Sequence, residues 1–161
     1  MKRSVVIAPA LLVAVLLAAC NVMEPVGLGE QACAQVSVAG TAVDAAPSMD
    51  EASASVIGIS AEPWTVALVP GGPGFVRIDV LEDAGAVLFA GEAGVVRGLT
   101  FCGIDFPLPD PAPNGFCSED IPEHVHLALP SGVWHLELES DSVDSVWLLL
   151  APVAVAHDHE H

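Results

Sequence analysis

The feature that most constrains the fold is an alternation of apolar and polar side chains that recurs from residue 74 onward. In residues 74–81, Val76, Ile78 and Val80 share one face while Phe75, Arg77 and Asp79 share the other. In residues 123–129, Val125, Leu127 and Leu129 oppose His124, His126 and Ala128; in residues 133–139, Trp134, Leu136 and Leu138 oppose His135, Glu137 and Glu139. A period of two is that of a strand with one face buried. Further strand candidates are residues 54–60, 64–69, 86–90, 94–101 and 145–151, separated by turn chemistry such as Pro70-Gly71-Gly72-Pro73-Gly74 and Pro130-Ser131-Gly132. No segment after residue 20 keeps a helical period. The reading is all-β: an antiparallel β-sandwich of about seven to eight short strands.

All eight aromatic residues lie from Trp64 to Trp147. Large rings dominate core burial, so the sandwich is assigned to residues 54–152. Residues 20–53 are rich in Ala, Val, Gly, Ser and Glu and read as a tether, with weak alternation at 34–39 that would allow a first strand. As a flexible coil, residues 21–53 would reach about 30 Å. Residues 153–161 form a His-rich tail. At fold level only, the pattern resembles the small β-sandwich modules attached to secreted bacterial peptidases and carbohydrate-active enzymes, a likeness that does not fix function.

The N-terminus carries its own message. Lys2 and Arg3 precede the uncharged stretch 5–19, which is too short to span a bilayer comfortably and has the layout of a secretory signal. It ends in Leu17-Ala18-Ala19-Cys20. This resembles the lipobox of bacterial lipoproteins, in which the cysteine is lipidated and the chain is cut just before it. The resemblance implies a signal peptide over residues 1–19, lipid such as palmitate on Cys20, and a mature chain whose only Lys or Arg side chains are Arg77 and Arg97. It also implies a membrane anchor in the bacterial cell envelope. Asn21 is not the Asp that signals inner-membrane retention in some of these lipoproteins, so the outer membrane is favoured over the inner.

Net charge narrows the partners. With 21 Asp+Glu against 4 Lys+Arg and a net charge of −17, the chain is acidic and does not offer a surface that neutralises phosphates, which excludes nucleic acid as a partner. No phosphate loop, nucleophile elbow or zinc-finger spacing is present. The expectation is therefore no enzyme and no catalytic residues.

With Cys20 assigned to lipid, Cys33, Cys102 and Cys117 remain. Cys102 and Cys117 bracket a Pro-rich excursion, and a disulfide between them would close a short loop and stabilise by about 3 kcal/mol. Pairing of Cys33 with either is the alternative. All six histidines follow residue 123. If residues 123–129 and 133–139 form a hairpin, His124, His126 and His135 share its polar face and can converge on a metal. His157, His159 and His161 alternate with carboxylates in the tail, a flexible chelator suited to Zn or Cu. No cofactor is assigned; Zn or Cu is the candidate. The leading expectation is a lipid-anchored cell-envelope lipoprotein whose acidic β-sandwich is a non-enzymatic binding or structural module for an unidentified envelope protein or ligand. The alternative is an envelope Zn/Cu-binding protein using the tail and hairpin histidines.

Overall fold

The structure, a computed structural model, describes residues 27–153. It opens with helix α1 (Leu28–Gln35), strand β1 (Thr41–Asp44) and a 3-10 helix (Met49–Ala54). The strands β2 (Val56–Ile57), β3 (Trp64–Ala67), β4 (Gly74–Val80), β5 (Ala84–Ala90), β6 (Val96–Phe101), β7 (Ile104–Phe106), β8 (Ala112–Pro113), β9 (Glu123–Leu129), β10 (Gly132–Leu138) and β11 (Ser145–Val153) follow. They form two sheets, which we call A, in the order β1-β3-β11-β5-β9-β8, and B, in the order β2-β4-β10-β6-β7. The protein is an all-β sandwich, as the alternation predicts. Each of the eight expected segments holds a strand. The additions, β1, β7 and β8, are two to four residues long and lie at sheet edges. Short edges, with Asp105 in β7 and Pro113 in β8, offer little backbone for another chain to pair with. Two pairings are parallel, β1 with β3 and β2 with β4; the rest are antiparallel.

The core lies between the sheets. Ile78, Trp134, Leu136 and Leu138 of sheet B meet Val66, Leu88, Leu148 and Leu150 of sheet A, each with 1% exposure or none. Trp134 is the largest of these side chains. Its ring lies 4.5 Å from Phe101 and 5.2 Å, edge-on, from Phe106, and its indole N–H donates to the Pro130 carbonyl at 2.9 Å.

Two expectations are corrected here. Residues 123–129 and 133–139 do not form a hairpin. β9 pairs with β5 and β8 in sheet A, whereas β10 lies between β4 and β6 in sheet B. The link Pro130-Ser131-Gly132 carries the chain across the sandwich, anchored where the Ser131 N–H donates to the Asp83 carboxylate at 2.8 Å. Gly132 has φ 143, and a Cβ there would stand 2.6 Å from the Phe101 ring, so the crossing needs glycine. Alternation marks which face is buried, and a strand meets it equally by pairing beside its neighbour or by facing it across the core.

The second correction concerns the tether. From Gly27 onward the supposed tether is folded. Residues 28–35 are helical rather than extended, β1 pairs with β3, and the Ala46 N–H and carbonyl exchange hydrogen bonds with Phe75 at 2.9 and 2.8 Å. Leu28, Ala32 and Val36 recur at a four-residue spacing, a short helical stripe whose apolar side meets sheet A.

Candidate functional site

The outer faces of the two sheets differ, and the difference locates the candidate site. On sheet A, the residues of β5, β9 and β11 that point away from the core include Val87, Phe89, Leu149 and Ala151, all buried. They are covered by Ala32 of α1 and by Ile121, with Leu28, Val36 and Cys117 packed around them. A disulfide between Cys33 of α1 and Cys117 holds this cover in place, with Cα atoms 5.8 Å apart and 84 residues of sequence separation. Asn114, 2% exposed, sits against the bridge. Its Nδ2 lies 3.6 Å from both sulfurs, while its Oδ1 accepts the Phe116 N–H at 3.2 Å. A turn closes the cover, the Ile121 N–H donating to the Cys117 carbonyl at 2.8 Å.

The expected Cys102–Cys117 bridge is therefore not formed. Cys102 is an exposed free thiol at the β6–β7 turn of sheet B, whereas Cys117 lies over the outer face of sheet A. Loop-closure entropy favours the nearer partner in sequence, but the sandwich separates the two and the packing of α1 delivers Cys33 instead. Cys102 and Gly103 have φ 50 and 79, the left-handed pair of a two-residue hairpin turn.

The histidines divide between the sheets. His124 and His126 stand two apart on the outer face of β9, opposite Phe89 and Val87 of β5. His124 is 6% exposed and packs against Phe89, ring centroids 5.5 Å apart. The His126 ring lies edge-on to it at 5.3 Å. His126 also lines a depression of about 190 Å³ with Gly85, Ala86, Leu127, Ala128 and Val153, a space opened because Gly85 and Ala128 carry almost no side chain. His126 Nδ1 is shielded from solvent and has no hydrogen-bond partner among the described residues.

His135 faces the other way. It points outward from β10 in sheet B, between Arg77 of β4 and Thr100 of β6. Partial burial, and then the Arg77 guanidinium, hold its pKa below the ordinary histidine value, against the opposing pull of Asp50 and Asp79. Arg77 is itself paired with Asp79 at 2.7 Å. The convergence of His124, His126 and His135 on one ion is thus ruled out, because the sandwich core lies between them. Among the described residues no three His, Cys, Asp or Glu side chains come together as a metal site. Cys20, His157, His159 and His161 lie outside the described residues.

Asn114 was not singled out from the sequence, and the Cys33–Cys117 bridge stood there only as an alternative to Cys102–Cys117. The available signals were the Leu28-Ala32-Val36 stripe and the odd cysteine it carries. Compared with known proteins, the chain matches no protein-family model and no curated protein.

Proposed function

We propose that the chain is a lipid-anchored lipoprotein of the bacterial cell envelope, whose acidic β-sandwich serves as a non-enzymatic binding or structural module. The observation that carries this reading is Leu17-Ala18-Ala19-Cys20 at the end of an uncharged stretch that starts from Lys2 and Arg3. A disulfide spanning 84 residues is in keeping with it, because such bonds persist in oxidising compartments. The net charge of −17 makes lipid, not protein charge, the source of membrane affinity. Two acyl chains or more give stable anchoring where one gives only marginal binding. Asn21 favours the outer membrane.

The folded start of the domain changes what such an anchor does. Helix α1 begins at Leu28, so eight peptide units separate it from Cys20, a reach of about 28 Å at full extension. A free segment of 33 residues would extend to over about 100 Å. The anchored module is held close to the bilayer.

Metabolic labelling with a clickable palmitate analogue, followed by envelope fractionation, tests the proposal. The full chain is expected to take up label and partition with outer membranes, and Cys20→Ser to lose both. An unlabelled full chain, or label retained by Cys20→Ser, would overturn it.

A further inference from the structure

After β8 the chain reads Asn114-Gly115-Phe116-Cys117, an asparagine followed by a glycine. That pair is chemically labile, because the glycine nitrogen can attack the asparagine side-chain carbonyl and glycine has no side chain to obstruct the ring closure. The fold restrains the two partners unequally. Asn114 is 2% exposed, whereas Gly115 is exposed and a Cβ there would meet nothing within 4 Å. The Asn114 carboxamide is held at both ends. Its Nδ2 donates to the sulfurs of Cys33 and Cys117 at 3.6 Å, and its Oδ1 accepts the Phe116 N–H at 3.2 Å. Its backbone N–H donates to the Pro122 carbonyl at 3.3 Å. One of the two sulfur acceptors comes from α1, 81 residues away in sequence. The restraint on the amide thus depends on the disulfide that keeps α1 against the turn.

We propose that Asn114 is a deamidation site gated by the Cys33–Cys117 bridge, silent while the bridge is intact and reactive once a dithiol reductant opens it. Opening is thiol–disulfide exchange: the S–S bond is reduced to two thiols and the dithiol is oxidised to its own disulfide. Asn114 then loses the fixed sulfur acceptors and its cover against water, since α1 is no longer crosslinked to the turn. The Gly115 nitrogen bonds to Asn114 Cγ, the Cγ–Nδ2 bond breaks, and Nδ2 leaves as ammonia with the Gly115 proton. Water opens the resulting succinimide at one carbonyl or the other, giving Asp or isoAsp at position 114, with no electrons exchanged in this step. The product is an acceptor-only carboxylate. It has no N–H to donate to the sulfurs, and burying it unpaired is costly. Glu119 and Asp120, on the adjoining turn, add like charge. The clamp cannot close again as before, so the opening of the cover becomes one-way. This inference goes beyond the lipoprotein reading and does not depend on lipidation.

The test is peptide mapping that resolves Asn, Asp and isoAsp at position 114, on the full chain in detergent micelles, incubated in mildly alkaline buffer with and without a dithiol reductant. A synthetic peptide of residues 111–116 sets the unprotected rate. The bridged chain is expected to convert far more slowly than the peptide. Reduction, or Cys33→Ser/Cys117→Ser, should speed conversion by about tenfold or more, because a protected group reacts through its open population. Gly115→Ala, whose added Cβ meets nothing, should slow conversion in the reduced chain. Leu136→Ala opens a cavity in the core at a comparable cost in stability while the bridge stays intact, and it should leave Asn114 protected. Conversion of the bridged chain at the peptide's rate, no conversion after reduction, or conversion unslowed by Gly115→Ala would overturn the proposal. Equal acceleration by Leu136→Ala would overturn it as well, assigning the reactivity to global unfolding instead of the clamp. None of these outcomes bears on labelling at Cys20, so the two proposals fail separately.

Discussion

The outer faces of sheets A and B have opposite fates, and their strands differ to match: β4 and β10 of sheet B alternate, whereas β5 and β11 of sheet A carry apolar residues on both faces. On sheet B the outward residues include Arg77, Asp79, His135 and Glu137, partly or fully accessible. On sheet A the equivalent positions carry Val87, Phe89, Leu149 and Ala151, sealed beneath α1 and the Ile121 turn. One sheet is a two-layer sandwich wall against water, and the other is the middle of three layers. What separates them is a short helix and a loop that do not alternate at all, joined by one disulfide. An outer strand face is therefore not equivalent to an exposed one.

The sharpest way to break this comparison is to cut the clamp. On the chain-entropy account, a crosslink spanning 84 residues stabilises by about 4.5 kcal/mol. The double variant Cys33→Ser/Cys117→Ser should lose most of that in urea unfolding, while Cys102→Ser, whose thiol is exposed and unbonded, should unfold as the parent does. The reverse pattern would return the bridge to Cys102. Next in size is Phe89→Ala. Phe89 has no exposed surface, so truncation should cost about 3–4 kcal/mol through lost burial and a cavity. Phe75→Ala, on the half-buried outer face of β4, should cost clearly less. Equal costs would mean that the helix adds no third layer.

The smallest effect lies on sheet B. The folded-state pKa of His135 is held below its unfolded value by partial burial and by Arg77, so between the two values the unfolded chain binds more protons. Its contribution to stability is present above about pH 6.5, the unfolded value, and is lost as pH falls through the folded one. His135→Gln should therefore flatten part of the decline in melting temperature from pH 7 to pH 5. Arg77→Ala should move the His135 pKa upward, as read by NMR titration, while the lost Arg77–Asp79 pair changes stability by about 0–1 kcal/mol because both groups are substantially exposed. An unmoved His135 titration would assign its shift to burial alone.

Much of this architecture is written locally. The alternation at Val76-Ile78-Val80 and at Trp134-Leu136-Leu138 identifies strands and their buried faces because side-chain direction in a strand depends only on parity. Turn residues such as Pro70-Gly71-Gly72 bound them for equally local reasons. Lipidation at Cys20 is likewise a reading of contiguous residues. The sequence by itself thus determined the fold class, eight of the strands and, for β4, β9 and β10, the side turned inward.

Only the tertiary structure decided which strand lies beside which. Parity is satisfied whether β9 and β10 pair as a hairpin or face one another across the core, and that choice depends on β4, β5 and β6, strands far away in sequence. It set His135 apart from His124 and His126, brought the end of β11 to His126, and placed Cys33 rather than Cys102 against Cys117. Contacts between distant segments are fixed by the joint packing of whole sheets, and no short stretch of chain holds that information.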